Sequence, residues 1–356
     1  MALRGKIAMA VKRPTKKNAR PLRSGLDMNP EILHQMHFSF VPSRVLSAGL
    51  QLGVFSHLAA GRQTVAAVAR AAGSNERGMR MLLDAMAPLG LLTKRNKRYR
   101  LTPLASRYLV RKSPDYLGSF FESDGLWESW GQLVEVIRSG KPAYRVEQQE
   151  LAEQFFPVLV RTLHVLQRER ARVAARALDS AGRRKGLRVL DVACGSGVWG
   201  IPYAELNGTA RITAQDFPAI LKVTRQYLQR HGVLRQYDFL PGDLNTVDFG
   251  VSRYDLAILG NIVHSEGERS SRSLIRKLYR ALASGGRLVI VDMIPNDQRT
   301  GPAFPVFFAL NMLVNTESGD TFTLAEYSRW LQEAGFIRVV TKEIGSHSPL
   351  IIGIKS

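Results

Sequence analysis

The sequence has one cysteine, Cys194, in 356 residues. An internal disulfide is therefore excluded, and a reducing, cytoplasmic location is expected. Cys194 sits inside a glycine turn with no motif placing a base beside it, so it reads as a tolerated small residue. Long apolar runs are also missing. The longest are of strand length, well short of the ~20 residues of a membrane-spanning helix, so no membrane partner is expected. No repeat or low-complexity run follows the first segment. Acids are absent from residues 1–24, which carry Arg4, Lys6, Lys12, Arg13, Lys16, Lys17, Arg20 and Arg23. Such a segment suits a targeting sequence, a nucleic-acid arm, or a disordered extension ahead of a start at Met28. The lack of apolar periodicity favours a disordered basic tail over 1–27. Removing those eight charges from the net +20 leaves +12, so the body is basic too. Arg and Lys scattered on solvated helix faces account for that.

What is present suffices for two domains, each with its own core. Residues 30–60 have helical spacing, with Ile32, Leu33, Met36, Val41, Leu46, Leu50, Val54, Phe55 and Leu58 on the apolar faces. Residues 64–73 read as a capped helix ending in glycine, and 77–89 as a second helix closed by Gly90. Residues 91–102 read as a hairpin with a polar tip. Helix, turn, helix and hairpin together predict a winged helix over 28–110. A winged helix can place its second helix in a DNA groove, and Arg77, Arg80, Lys94, Arg95, Lys97 and Arg98 are the available cations. Met79, Met81, Leu82, Leu83, Met86 and Leu89 fill the same helix, which suits packing against a partner better. Residues 111–180 read as a helical linker and pocket region, with Phe120, Phe121, Trp127 and Trp130 available to an aromatic ligand.

Residues 181–356 carry the strongest pattern. Val189-Leu-Asp-Val-Ala-Cys-Gly-Ser-Gly-Val-Trp-Gly200 is a strand, a glycine turn and the start of a helix. Gly195 and Gly197 let the backbone approach a nucleotide-like ligand. A second strand ends in Asp216, where a carboxylate can grip ribose hydroxyls. Gly242-Asp-Leu244 follows, then a buried strand from Tyr254 running into a loop with His264. A glycine turn at 284–286 leads to a strand ending in Asp292. This order resembles the class I S-adenosylmethionine (SAM) methyltransferases. More narrowly, it resembles the small-molecule O-methyltransferases of plant phenolic and bacterial natural-product chemistry. Asp191 before the glycine turn, the Gly-Asp-Leu box and the Ser-Gly-Gly turn favour SAM over NAD. The resemblance implies an α/β fold: a Rossmann-like domain with a mostly parallel seven-stranded sheet, and an N-terminal all-helical winged-helix domain that dimerises. A homodimer acting on a small-molecule acceptor is expected, and no nucleic-acid partner.

The resemblance also assigns a site. The backbone around Ala193, Gly195 and Gly197 cradles the methionine part of SAM. Asp191 organises its ammonium group, directly or through water. Asp216 binds the ribose, Asp243 accepts from the adenine amino group, and Leu244 lies against the ring. Each acid also fits a turn or a cap. Methyl transfer is an in-line displacement, so alignment and a deprotonated nucleophile are the enzyme's tasks, and no metal is needed. A phenol, with a pKa near 10, must lose its proton, and a histidine is suited to taking it. His264 stands where the family has its base, with Asp292 matching one flanking carboxylate. Ser265 and Glu266 depart from the family's Asp-Trp, and Thr321 stands where a second glutamate is common, with Asp320 beside it. Those departures keep carbon or nitrogen methylation open, together with a chain that binds SAM without transferring. A winged-helix regulator with a ligand-sensing domain is the reading from a different class.

Overall fold

The computed structural model describes residues 29–143, 149–179, 182, 184–345 and 349–356, with the side chains of 149–155 left aside. The expected basic tail over 1–27, the start at Met28 and the domain boundary at 180–181 lie outside these residues. Packing divides the chain once, after Arg44. The first unit contains α1 (Glu31–Phe38), which buries none of its residues. Ile32, Leu33, Met36, Phe38 and Phe40 are exposed, which leaves an apolar helix without a core of its own.

From Val45 onward the chain is one unit. Its first part holds α2 (Val41–Gln51, entering from the first unit), α3 (Val54–Ala59), α4 (Val65–Ala71), α5 (Glu76–Met86), β1 (Leu92–Arg95), β2 (Arg98–Leu101) and α6 (Pro103–Tyr108). The Thr64 side chain caps α4 on the Ala67 amide, and Asn75 caps α5 on Gly78. Strands β1 and β2 pair antiparallel around Asn96 and Lys97, both at positive φ, the turn whose twist suits a hairpin. The expected winged helix is present, and the domain is helical except for this wing. Leu50, Phe55, Val68, Met79, Leu83, Met86 and Tyr99 form its core. On α5 the methionines and leucines do pack inward. Arg80 and Lys94, offered above to DNA, both pair with Asp84.

A helical stretch follows: α7 (Gly118–Phe121), α8 (Gly125–Gly131), α9 (Leu133–Ser139) and α10 (Gln149–Leu178). Phe121 packs against the winged-helix core, and Trp127 is largely exposed. Ala171, Ala174 and Ala175 of α10 belong to a core under the large sheet.

The remaining elements are β3 (Arg188–Val192), α11 (Ile201–Leu206), β4 (Arg211–Asp216), α12 (Pro218–Arg230), β5 (Tyr237–Pro241), β6 (Tyr254–Gly260), α13 (Val263–Ala281), β7 (Leu282–Val291), α14 (Ala303–Asn315), α15 (Leu324–Ala334), β8 (Arg338–Lys342) and β9 (Leu350–Ile354). They build a seven-stranded sheet in the order β5-β4-β3-β6-β7-β9-β8. β5 to β7 are parallel, and β9 and β8 pair antiparallel on the β7 side. Strands β3 and β6 read as near-continuous buried runs because helices cover both faces, as a parallel sheet requires. Two cores, one on each face, complete the layering. The chain reverses its strand order at β3, so a crevice opens outside the carboxyl ends of β3 and its neighbours.

Candidate active site

The carboxyl ends of β3, β4, β5, β6 and β7 carry the residues that the resemblance assigned to the site. After β3, the chain makes a tight loop with Ala193 (φ 49), Gly195 (φ 55) and Gly197 (φ 76) in the left-handed region. A side chain at Gly195 would be strained there and would lie 3.5 Å from Val160 of α10. The loop is held from below. The Gly195 amide donates to Asp216 Oδ2 (2.9 Å), the Ala193 amide to Gln215 Oε1 (3.2 Å) and the Cys194 amide to the Gln215 carbonyl (3.0 Å). Gln215 Nε2 then donates to the Gly242 carbonyl (2.7 Å), tying the first loop to the Gly-Asp-Leu turn.

The acids differ in their surroundings. Asp191 is fully buried, and its Oδ2 accepts from the Gly200 amide (3.0 Å) while Oδ1 has no hydrogen-bond partner. Burial pushes its carboxyl well above the usual range, with Asp216 adding to the effect. Asp216 accepts from the Gly195 and Phe217 amides, yet burial still lifts it to about 6. Asp243 closes its own turn by accepting from the Asn245 amide (2.8 Å). The Leu244 side chain is buried among Leu190, Val192 and Leu259.

Across the crevice, α13 begins at the end of β6. His264 Nδ1 lies 2.6 Å from Asp292 Oδ1, and the His264 amide donates to Asp292 Oδ2 (3.1 Å). Asp292, at the end of β7, also accepts from the Met293 amide (2.8 Å) and from the Tyr327 hydroxyl of α15 (3.1 Å). With Nδ1 engaged as donor, the imidazole keeps Nε2 as its free acceptor, the form a proton acceptor needs. The Phe308 ring of α14 stands edge-on to His264 at 5.2 Å, and Phe304 follows at 5.7 Å. Gly319 is pressed against this turn: a Cβ there would come within 2.7 Å of the His264 carbonyl, which accepts from the Asp320 amide.

The departures from the family pattern are accounted for locally. Asp320 turns to Arg299 (3.7 Å) and to the Thr321 amide. Thr321 is buried and donates to the Pro305 carbonyl. Glu266 bonds Asn245 and Ser270. Gln215, Tyr327 and Phe308 were not singled out from the sequence. A polar residue in a buried strand was the available signal for Gln215. Tyr327 directly follows Glu326 of a capping box, which signals a helix start and not a hydrogen bond to a distant strand.

Glycine backbone at positive φ, a buried orphan carboxylate oxygen beneath it and an acid at the end of β4 fit a nucleoside-bearing ligand. A model of the O-methyltransferase domain matches residues 140–337, and a model of the O-methyltransferase dimerisation domain matches 34–111. The 3-hydroxy-5-methyl-1-naphthoate 3-O-methyltransferase of Streptomyces sahachiroi is 29% identical, covering 92% of this chain and 96% of its own. The tetracenomycin polyketide synthesis 8-O-methyl transferase of Streptomyces glaucescens is 28% identical, covering 92% and 97%. Among solved structures, human N-acetylserotonin methyltransferase in complex with SAM superposes with TM-score 0.79 at 27% identity, covering 94% of this chain and 100% of that one. An O-methyltransferase family protein from Burkholderia thailandensis gives 0.80 at 27%, covering 92% and 98%. Among the described residues, no helix is long and apolar enough to cross a membrane.

Proposed function

The chain belongs to the O-methyltransferase family and uses SAM as methyl donor, and from that premise we propose that it methylates a hydroxyl of an aromatic or polyketide-like small molecule, with His264 as general base. When bound, SAM supplies a methyl group already activated on a sulfonium. The loop at 193–197 would hold its methionine part, Asp216 the ribose hydroxyls, and Asp243 and Leu244 the adenine. Asp191 reaches the ammonium group only through water, because its side chain is turned under the loop to Gly200.

The observation that carries the reading is the His264–Asp292 pair beside Phe308. An aromatic acceptor packs its ring against Phe308 and Phe304. His264 Nε2 would take the hydroxyl proton as the oxygen attacks, the oxygen–methyl bond forming as the methyl–sulfur bond breaks and S-adenosylhomocysteine leaves as a neutral thioether. Asp292 holds the ring in the required tautomer. Carbon or nitrogen acceptors depend less on such a base before attack, so a buried pair at this point favours a hydroxyl. Incubating the protein with methyl-labelled SAM and a panel of naphthols, phenols and anilines tests this. Label recovered as an aryl methyl ether supports the reading, and label only on carbon or nitrogen overturns it.

A homodimer follows from the dimerisation domain. The bare apolar face of α1 is its proposed contact. Light scattering on the chain starting at Met28 should give twice the chain mass. A monomer at micromolar concentration removes the proposal.

A further inference from the structure

The carboxylate of Asp292 is saturated. Its side chain is fully buried, and each oxygen receives two donors: Oδ1 from the His264 ring and the Met293 amide, Oδ2 from the His264 amide and the Tyr327 hydroxyl. A carboxylate offers about four acceptor positions, so none is left over. Three of the donors belong to His264 and the adjoining backbone. The fourth comes from a different element, and Tyr327 is itself wholly buried.

We infer that Tyr327 is a positioning residue that sets the basicity of His264 through Asp292. The inference rests on the reading of His264 as the base. Every donor on a carboxylate withdraws charge from the bonds its oxygens make to the others, because hydrogen bonds in one network polarise each other. The Tyr327 hydroxyl therefore weakens the pull of Asp292 on the His264 Nδ1 proton. A weaker pull leaves the protonated ring less favoured and Nε2 free at lower pH. Burial, followed by the nearby Asp292, raises the Tyr327 phenol well above its usual value, so it remains a donor throughout the working range.

The surroundings leave this hydroxyl as the adjustable contact. From the 316–321 loop, Asp320 is paired with Arg299. From α15, Glu326 is bound by the same Arg299 and by the Thr323 amide. From α13, Glu266 is held by Asn245 and Ser270. From α14 the ring meets Phe308, which carries no charge. The capping box of Thr323 and Glu326 fixes the first turn of α15 and with it the position of Tyr327.

The test is a nuclear magnetic resonance titration of the protein labelled at its histidine rings and saturated with S-adenosylhomocysteine. Only seven histidines are present, and His264→Gln identifies the His264 signal by its loss. Tyr327→Phe should move the titration midpoint of the His264 ring upward by about 0.5–1 unit, part of what one hydrogen bond to a charged group is worth. Tyr327→3-fluorotyrosine keeps the packing and donates more strongly, so it should move the midpoint downward. This arm stands alone if Tyr327→Phe does not fold. Coincident curves overturn the inference. Movement in the same direction for both variants also overturns it, because that is what disturbed packing produces. The titration needs no acceptor and no turnover. If His264→Ala stayed active while the two midpoints moved apart, the general-base reading would fall and the coupling would stand.

Discussion

The two sides of the crevice are built on different principles. On the β3–β5 side, each acid binds backbone amides close by in sequence or in the adjoining loop: Asp191 takes Gly200, Asp216 takes Gly195 and Phe217, and Asp243 takes Asn245. On the β6–β7 side, one acid gathers His264 from 28 residues upstream and Tyr327 from 35 downstream. The first side is a set of self-supporting loops, and the second is a long-range network. On the proposed reading the first holds the cofactor and the second serves proton transfer, so substitutions should affect one without the other.

The largest effect is expected from His264→Ala. Loss of a positioned base should lower kcat by roughly 10²–10⁴ at neutral pH. S-adenosylhomocysteine affinity measured by calorimetry should stay near wild type. An equal loss of affinity would break the division into two sides. Asp216→Ala is the converse case. Affinity for SAM should fall roughly 10–150-fold, the equivalent of 1.5–3 kcal/mol for hydrogen bonds to a charged group. At saturating SAM, kcat should change little.

A pH series sharpens the contrast. The Asp216 carboxyl is raised by burial to about 6 in the free protein. A raised folded-state value means that the protonated acid contributes stability below its ordinary range, which is lost as pH rises through about 6. Ribose hydroxyls donate to the ionised form, so binding runs the other way. The rise in Tm produced by S-adenosylhomocysteine should be larger at pH 7.5 than at 5.5, with affinity falling by up to roughly tenfold per unit below 6. A pH-independent rise would remove Asp216 from the ribose contact. The smallest effect concerns Thr323→Ala, which deletes one half of the capping box at α15. A loss of about 1 kcal/mol in chemical denaturation is expected. Cofactor affinity should not change, since α15 serves only the β6–β7 side.

The same contrast explains what could be read from the sequence. The loops on the cofactor side are short, contiguous and fixed by glycines, so Gly195, Gly197, Asp216 and Asp243 were visible as spacing. The wing and the capped helices were visible for the same reason: Thr64, Asn75 and the Asn96–Lys97 turn act within a few residues. His264 and Asp292 were found through family position. Their hydrogen bond depends on β6 and β7 being neighbours, which no local pattern states. Tyr327 was hidden because an aromatic in an amphipathic helix looks like core, and the bond of Thr321 because it goes to Pro305 in another segment. The division at Arg44 was also missed. Apolar spacing runs unbroken through α1 and α2, while packing does not.

The thirty-residue helix α10 has a consequence for the glycine loop. Three turns in, Val160 lies over Gly195, and one turn on His164 Nδ1 meets Ser196 Oγ (2.9 Å) with its ring stacked on Tyr227. Another turn along, Arg168 grips Asp115 with two hydrogen bonds (2.7 and 2.8 Å), holding that carboxyl down at about 2. Burial keeps His164 down at about 3, so the clasp on the glycine loop is uncharged and insensitive to ordinary pH. One rod thus lies against the glycine loop after β3 and is anchored to the segment just after the winged helix. A change in how residue 115 is held should therefore reach the glycine loop along a single helix.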